Sequence, residues 1–308
     1  MFILLTYLFL LFFFVYVVSK ATGLLLLLER KIYDVRHKEN VNDEGKVVVV
    51  TGASSGIGME LARVYSKRKS KIVVAARRLS NLEELKKTCL DLGASEVLCI
   101  ECDVSIEEDC KNLISKSVEK FGDRIDYLYL SAGVGLDQPF SEAKDLSNYK
   151  AIMDINYYGA IGCTLHALPY LTKSNGHICV VSSLQGKFAL PQRCGYSASK
   201  HAVNGFFNSL RVEMKGQIKV TIVCPGYVWT EFQNSRLSTG DTREVIRNKS
   251  KFMTVEQCVK ETMEAVKYNE HEYIMTTKGK LGVVAQAILP QSWIDYIATS
   301  SSKNAQRK

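Results

Sequence analysis

The sequence predicts a doubly wound α/β domain with a parallel sheet, and two observations carry this prediction. Short apolar segments alternate along the chain with longer segments of helical periodicity. Two of the short segments, KVVVVT at 46–51 and HICVVS at 177–182, are apolar nearly throughout, as strands covered on both faces must be. Strands and helices that alternate in this way form parallel sheets with helices on both sides.

The individual elements follow in chain order. We predict strands at residues 46–51, 71–76, 96–102, 127–131, 177–182 and 219–224. We predict helices at residues 58–69, 82–92, 107–121, 149–171 and 254–268. The polar, irregular segment 233–251 is a predicted substrate lid, because binding residues often lie on loops carried by a rigid scaffold. The apolar segment 281–297, which holds Trp293 and Tyr296, predicts membrane contact or a substrate entrance.

The first 28 residues differ from the rest of the chain and predict a membrane anchor. Residues 2–18 read FILLTYLFLLFFFVYVV, and a helix over residues 2–28 would be about 40 Å long, enough to cross a bilayer. A cleaved signal peptide is the alternative, although the apolar run lacks a preceding positive region. Positive charges follow the span, so we expect the main domain in the cytosol. A glycosylation sequon at Asn248 favours the opposite side.

Composition limits the classes of function. Several of the nine cysteines lie in apolar segments such as TIVCPG, where they behave as small buried side chains and indicate a reducing compartment. We expect no metal site. The net charge of +8 arises partly from the basic segment after the anchor and from the tail, a distribution that favours contact with membrane lipid. No nucleic-acid-binding module is apparent, and we expect no nucleic-acid partner.

The segment TGASSGIG at 51–58 follows the first predicted strand and opens the first predicted helix. Glycines at this point let phosphates approach backbone N–H groups at a helix N-terminus, where the helix dipole favours anions. The position of the segment therefore predicts dinucleotide binding, with a plain glycine turn as the alternative.

The end of the second predicted strand indicates which dinucleotide is bound. It reads Ala76-Arg77-Arg78, without the carboxylate that would hold the ribose 2′-hydroxyl of NAD. Guanidinium groups suit a 2′-phosphate, so NADP(H) is favoured. Asp103, after the third predicted strand, is placed to touch the adenine, with an ordinary turn residue as the alternative.

Tyr196 and Lys200 stand four residues apart, a spacing that on a helix places the ammonium beside the phenol. Ser183 ends the fifth predicted strand, and Asn156 lies in the fourth predicted helix. With the glycine loop, these residues resemble the short-chain dehydrogenase/reductase family over about residues 45–275. The matching motifs, in family order, are TGASSGIG, CDVS, LSAG, INYYG, VSS, YSASK and PGYVWT. The anchor and the segment GYSASKHAVNGFFNSLRVEM look most like the membrane-bound hydroxysteroid dehydrogenases and the member 7 group of dehydrogenase/reductases.

The resemblance implies a Rossmann-type fold and a mechanism. Lys200 would lower the pKa of Tyr196 and hold the nicotinamide ribose, and Tyr196 would exchange a proton with the substrate oxygen. Ser183 would hydrogen-bond that oxygen, and Asn156 would hold a water linked to Lys200. The implied cofactor contacts are Gly52, Ser54, Ser55, Gly56, Ile57, Gly58, Arg77, Arg78, Asp103, Val104, Ser131, Ala132, Gly133, Tyr196, Lys200, Pro225, Gly226, Val228 and Thr230. Ser131 is a departure, because the family usually has asparagine there and serine offers fewer donors to brace the sheet.

These observations predict an NADP(H)-dependent oxidoreductase that interconverts an alcohol and a ketone or aldehyde. Its substrate would be lipophilic, such as a steroid, a retinoid or a lipid intermediate. We expect an anchor at 1–28, a basic linker at 29–45, the oxidoreductase domain at 46–280 and a tail at 281–308. The family resemblance implies a single-pass protein of the endoplasmic reticulum membrane that forms a homodimer or homotetramer. The alternative is a non-catalytic NADP(H)-binding sensor or scaffold at a membrane, whereas an extended-branch epimerase fits poorly.

Overall fold

The computed structural model describes residues 42–237 and 252–306, with side chains described to residue 300 except at positions 233 and 234. The predicted anchor, the predicted linker up to residue 41 and residues 238–251 of the predicted lid lie outside the described residues. Among the helices that are described, none combines the length and the hydropathy needed to span a membrane.

Within the described residues, seven strands form one parallel sheet in the order β3-β2-β1-β4-β5-β6-β7. The strands are β1 Val47–Thr51, β2 Lys71–Ala76, β3 Glu96–Glu101, β4 Tyr127–Leu130, β5 His177–Val181, β6 Lys219–Cys224 and β7 Glu272–Ile274. The first six lie where the sequence predicts them, with ends that differ by at most one residue. Strand β7 was not predicted, because a three-residue strand paired only at the sheet edge carries too little apolar pattern.

The helices on the described chain are α1 Gly56–Ser66, α2 Leu79–Asp91, α3 Glu107–Phe121, α4 Ser147–Met153, α5 Gly159–Ser174, α6 Cys194–Glu213, α7 Val255–Lys267, α8 Thr277–Ile288 and α9 Gln291–Gln306. A π-helical turn, Asp154–Tyr158, joins α4 to α5. The sequence predicted one continuous helix over 149–171, so that prediction was wrong at this turn. Helix α8 crosses residue 280, where the sequence analysis divides domain from tail, and that division stays a prediction.

The sheet is covered on both faces, which explains the unbroken apolar strands. All five residues of β1 are buried. Val47 and Val49 face a layer that includes residues of α3, α5 and α6. Val48 and Val50 face the opposite layer, with residues of α1, α2 and α7. The fold prediction, a doubly wound α/β domain with a parallel sheet, is therefore confirmed.

The cysteines are free thiols, and most of them are buried, as their apolar surroundings predicted. Although we expect no metal site from the spacing of the cysteines, Cys99 and Cys102 do form a C-x-x-C pair, a spacing found in metal sites, at the end of β3. Three residues along a strand place two side chains on opposite faces. Accordingly, Cys102 packs in the layer with α3, whereas Cys99 packs against the layer with α1. The pair cannot ligate one ion.

Candidate active site

The order of the strands places a crevice at the carboxyl ends of β1 and β4. The chain winds in one direction from β1 to β3 and in the other from β4, and such a switch point is where open α/β sheets bind ligands. A cavity of about 1040 Å³ opens there. It is lined by every residue that the sequence analysis assigned to the site except Gly58 and Asn156.

The glycine loop joins β1 to α1 in a form that needs glycine. Gly52 has a φ of +67°, and a Cβ at this position would lie 2.7 Å from the backbone nitrogen of Ala132. A Cβ on Gly58 would lie 2.5 Å from the carbonyl oxygen of Gly52, so Gly58 packs behind the loop. Ser55, the N-cap residue of α1, makes no side-chain cap within the described chain. The first-turn N–H groups of α1 are therefore available to an anion.

Two arginines stand at the end of β2, on the side of the cavity that holds the glycine loop. Arg78 donates a hydrogen bond to Ser54 Oγ at 3.0 Å and pairs with Glu231 at 3.3 Å. Arg77 lies 4.0 Å from a carboxylate oxygen of Asp103. The second oxygen of Asp103 accepts the backbone N–H and the hydroxyl of Ser105. This end of the cavity combines two guanidinium groups and a serine hydroxyl, which suit a phosphate, with the carboxylates of Asp103 and Glu231, which a bound phosphate would replace as partners of the arginines.

The loop after β4 is braced by β1 despite the serine at position 131. Thr51 Oγ1 accepts the backbone N–H groups of Ser131 and Ala132 at 3.2 and 3.3 Å. Backbone groups of the loop therefore connect the two central strands. Val104 also packs closely on the helices behind the cavity, because a Cβ on Gly159 would lie 2.7 Å from its side chain.

Asn156 lies in the π-helical turn and is held by the loop after β4. Its Oδ1 accepts the N–H of Val134 at 2.8 Å, and its Nδ2 donates to the carbonyl of Val134 and to Ser199 Oγ, both at 3.0 Å. A Cβ on Gly133 would lie 3.2 Å from Asn156 Oδ1 and 3.7 Å from Lys200 Nζ. Asn156 therefore lies near the lysine but behind the wall of the cavity. Single π-turns of this kind occur frequently at functional sites.

Ser183, Tyr196 and Lys200 meet where α6 packs against the end of β5. Ser183 Oγ accepts the N–H of Gln185, which fixes the turn that carries it. Lys200 Nζ donates to the carbonyl of Val181 at 2.9 Å and lies 5.9 Å from the centroid of the Tyr196 ring. The Tyr196 ring also makes an edge contact with Phe232, with centroids 6.0 Å apart. The spacing of four residues in the sequence therefore does bring the ammonium beside the phenol.

Burial controls the acidity of both groups. Removal from water raises the pKa of Tyr196 to about 12, although a hydrogen bond with Ser183 and the charge of Arg193 act in the opposite direction. Removal from water also lowers the pKa of Lys200 to about 8. The family resemblance implied that Lys200 lowers the pKa of Tyr196. In this structure burial has the largest effect on the pKa of Tyr196 and the charge of Arg193 lowers it, while the lowering by Lys200 stays a prediction.

The segment PGYVWT follows β6 and forms another wall of the cavity. The carbonyl of Pro225 accepts the N–H of Leu184, and a Cβ on Gly226 would lie 2.9 Å from Thr276. Val228 pairs with Met253 in an isolated bridge. Thr230 caps a short 3₁₀ helix by accepting the N–H of Phe232, and its side chain would lie 3.1 Å from a Cβ on Gly56. The segment thus comes close to the glycine loop at Gly56.

The sequence analysis missed three charged residues at the other end of the cavity. Arg193 and Arg236 line the cavity, and both pair with the buried carboxylate of Asp137. Arg193 precedes Tyr196 by three residues, a spacing that would have placed the two on one helical face. Asp137 and Arg236 carry no such local signal, because they lie in loops distant from Tyr196 in the chain.

A family model described as short chain dehydrogenase matches residues 46–240 of the chain. A dehydrogenase/reductase SDR family protein 7-like from Dictyostelium discoideum is 42% identical over 279 residues, which cover 89% of this chain and 87% of that protein. An 11-beta-hydroxysteroid dehydrogenase from Pinus massoniana is 39% identical over 212 residues, 69% of this chain and 59% of that protein.

A solved structure gives an independent comparison of the fold. A short-chain dehydrogenase/reductase from Burkholderia phymatum, in complex with NAD, superimposes with a TM-score of 0.73. The two chains are 23% identical, and the match covers 79% of this chain and 93% of the other. This likeness supports the arrangement of the sheet and its helices.

Proposed function

Because this chain belongs to the short-chain dehydrogenase/reductase family, whose members are oxidoreductases of alcohol and ketone groups, we propose that it interconverts a ketone or aldehyde and an alcohol on a lipophilic substrate, using NADP(H). The observation that carries the proposal is the composition of one cavity. The glycine loop, the group of Ser183, Tyr196 and Lys200, and an apolar wall all line it.

The residues at the glycine-loop end fit NADP(H). Gly52 and Gly58 permit the close packing that shapes the loop, and Ser55, Gly56 and Ile57 at the N-terminus of α1 line the cavity. Arg77, Arg78 and Ser54 would hold the 2′-phosphate, since guanidinium groups pair well with phosphate oxygens. When bound, NADP(H) would supply or accept the hydride.

The chain's own residues would handle the proton and the substrate oxygen. Tyr196 would donate its phenolic proton to a carbonyl oxygen during reduction and accept one during oxidation. Ser183 would donate a hydrogen bond to the same oxygen as negative charge develops on it. Lys200 would bind the ribose hydroxyls of the nucleotide, and Asn156 would connect the lysine to solvent through a water.

The other end of the cavity would take a lipophilic substrate. Apolar side chains from three segments line this end: Phe188 and Leu190, Phe232, and Ile294 and Ile297. Helix α8 packs on this wall, because a Cβ on Gly282 would lie 2.8 Å from the Phe188 ring. An apolar wall beside a small group of polar residues is typical of sites for apolar small molecules.

The enzyme assay tests the function directly. Full-length protein in detergent micelles is offered steroid, retinal and lipid ketones, and the oxidation of NADPH is compared with that of NADH. We expect turnover with NADPH. Replacing Arg77 or Arg78 with methionine should raise the KM for NADPH about tenfold, because one charge-assisted hydrogen bond to the 2′-phosphate is lost. The KM for NADH, which lacks that phosphate, should be unchanged. Lys111→Met, on the exposed surface of α3, is the matched control.

Two outcomes of this assay would change the proposal. Equal use of NADH, with no effect of the arginine variants, would contradict the assignment of NADP(H). Tight binding of NADPH without turnover of any ketone, or of any alcohol with NADP⁺, would favour the non-catalytic sensor or scaffold instead.

The proposed location is the endoplasmic reticulum membrane, with the catalytic domain in the cytosol and the protein as a homodimer or homotetramer. The apolar run at residues 2–18 supports the anchor, and exposed Leu281, Trp293 and Tyr296 on α8 and α9 suit contact with lipid. In cells we expect the Asn248 sequon to stay unmodified, so endoglycosidase treatment should not change the electrophoretic mobility. A shift in mobility would place the domain in the lumen. Light scattering should report a dimer or a tetramer, and a monomer would contradict the proposed homodimer or homotetramer.

A further inference from the structure

Three charged side chains lie together beside Tyr196: Asp137 is buried, and Arg193 and Arg236 are largely buried. The exposed fractions of the side chains are 5% for Asp137, 12% for Arg193 and 10% for Arg236. Arg193 binds the carboxylate through two nitrogens: Nε lies 2.9 Å from Oδ1, and a terminal nitrogen donates to Oδ2 at 3.1 Å. Arg236 pairs with the same carboxylate. One hydrogen bond and the ion pair therefore keep the guanidinium group of Arg193 beside the Asp137 carboxylate.

The backbone holds Arg193 in place relative to Tyr196. Arg193 is the N-cap residue of α6, and its carbonyl accepts the N–H of Ser197 at 2.8 Å. The preceding residue, Gln192, has a φ of +65°, a left-handed conformation that a non-glycine residue adopts only when its surroundings enforce it. The N–H of Gln138, next to Asp137, donates to the carbonyl of Gln192 at 2.8 Å. The ion pair and this bond therefore dock the loop after β4 on the start of α6.

The groups that face Tyr196 come from every element packed around it. Its own helix supplies Arg193 and Lys200, and the end of β5 supplies the Ser183 hydroxyl. Asp137 comes from the loop after β4 and Tyr227 from the loop after β6. Arg236 follows the 3₁₀ helix Glu231–Asn234. Charges buried among apolar side chains such as Val134 and Leu136 are poorly screened. Arg193 and Asp137 therefore both act on the pKa of the phenol, in opposite directions and less than burial does.

We propose that Arg193, held by Asp137, is a positioning residue that stabilises the phenolate form of Tyr196, and that the charge of Asp137 moderates this effect. The proposal rests on the acid–base role proposed above for Tyr196. Among the groups around the phenol, Arg193 lowers the pKa of Tyr196 and Asp137 raises it, against the larger increase that burial causes. A neighbouring cation favours the phenolate, so loss of the Arg193 guanidinium group raises the pKa of Tyr196 and loss of the Asp137 carboxylate lowers it.

A titration that needs no substrate tests this proposal. Difluorotyrosine, whose phenol ionises near neutral pH, is incorporated at position 196 of the full-length chain, and the fluorine resonance is followed against pH. We expect Arg193→Met to raise the midpoint by about one pH unit, which is a tenfold loss of phenolate below the midpoint. Arg193→Lys, which keeps the charge, should stay close to the parent. Because the backbone at the start of α6 still places Arg193 when the carboxylate is lost, Asp137→Asn should lower the midpoint, and a raised midpoint would contradict the moderating role of Asp137.

A purely structural role would give a different pattern. If Arg193→Lys and Arg193→Met shift the midpoint equally, or if neither shifts it, the proposal is overturned. Thermal unfolding of each variant identifies any variant that fails to fold. If Asp137→Asn does not fold, the comparison of Arg193→Lys with Arg193→Met still tests the proposal. The pH profile of kcat/KM for alcohol oxidation should move in the same direction as the fluorine midpoint. A shifted midpoint in a protein that turns over no substrate would leave this proposal standing and contradict the enzymatic one.

Discussion

Replacing Tyr196 with phenylalanine should reduce kcat by about 10²- to 10⁴-fold, the usual contribution of a positioned general acid or base. The phenylalanine ring can keep the edge contact with Phe232 and the packing on Val134 and Leu136, so only the proton-transferring hydroxyl is lost. We therefore expect the affinity for NADPH to be unchanged. Steady-state assays of reduction, combined with a fluorescence titration of NADPH, measure the two effects separately.

Tyr149→Phe is the matched control for this variant. Tyr149 lies on α4 and packs against the same apolar cluster as Tyr196, but it does not line the cavity. Loss of its hydroxyl should leave kcat unchanged. If Tyr196→Phe retains the parent rate, or if both variants lose activity equally, Tyr196 is not the proton donor.

Replacing Gly52 with alanine should lower the free energy of unfolding by about 2–5 kcal/mol, the sum of the costs of a left-handed conformation and of an overpacked contact. The added Cβ would lie 2.7 Å from the nitrogen of Ala132, in the backbone that Thr51 holds. Because that contact can be relieved only by moving the loop away from β4, the binding of NADPH should weaken as well. Chemical denaturation and a binding titration measure the two effects.

Gly45→Ala separates the two causes. Gly45 also has a positive φ, +71°, but a Cβ there would meet nothing within 4 Å. Its substitution should cost about 1 kcal/mol from the conformation alone and leave NADPH binding intact. If Gly52→Ala is no more harmful than Gly45→Ala, the close approach of the loop to Ala132 does not matter.

The central strands and the helix that carries Tyr196 and Lys200 were predictable for local reasons. An apolar segment such as that of β1 has one stable solution, burial on both faces, and a spacing of four residues on a helix brings two side chains together whatever surrounds them. These features depend on residues that are close in the chain.

The remaining features depend on contacts between distant segments. The π-helical turn forms where Asn156 binds Val134 and Ser199, 22 and 43 residues away in the chain, and the amino-acid pattern of the helix does not indicate it. The acidity of Tyr196 depends on burial by several loops and on an ion pair whose partners are 56 residues apart. The sequence shows which residues these are, but it does not show that they come into contact.

The π-helical turn fixes the number of residues in this part of the chain. A helix rotates by about 100° per residue, and a π-turn accommodates one residue more than an α-turn does. Deleting one residue from Asp154–Tyr158 would restore a regular helix but rotate α4 about its axis relative to α5. Ile152 and Tyr149 would then leave the cluster that packs on Tyr196. The number of residues between Tyr149 and Asn156 therefore determines which face of α4 packs on Tyr196. Point substitutions keep that number and should be tolerated there more easily than an insertion or a deletion.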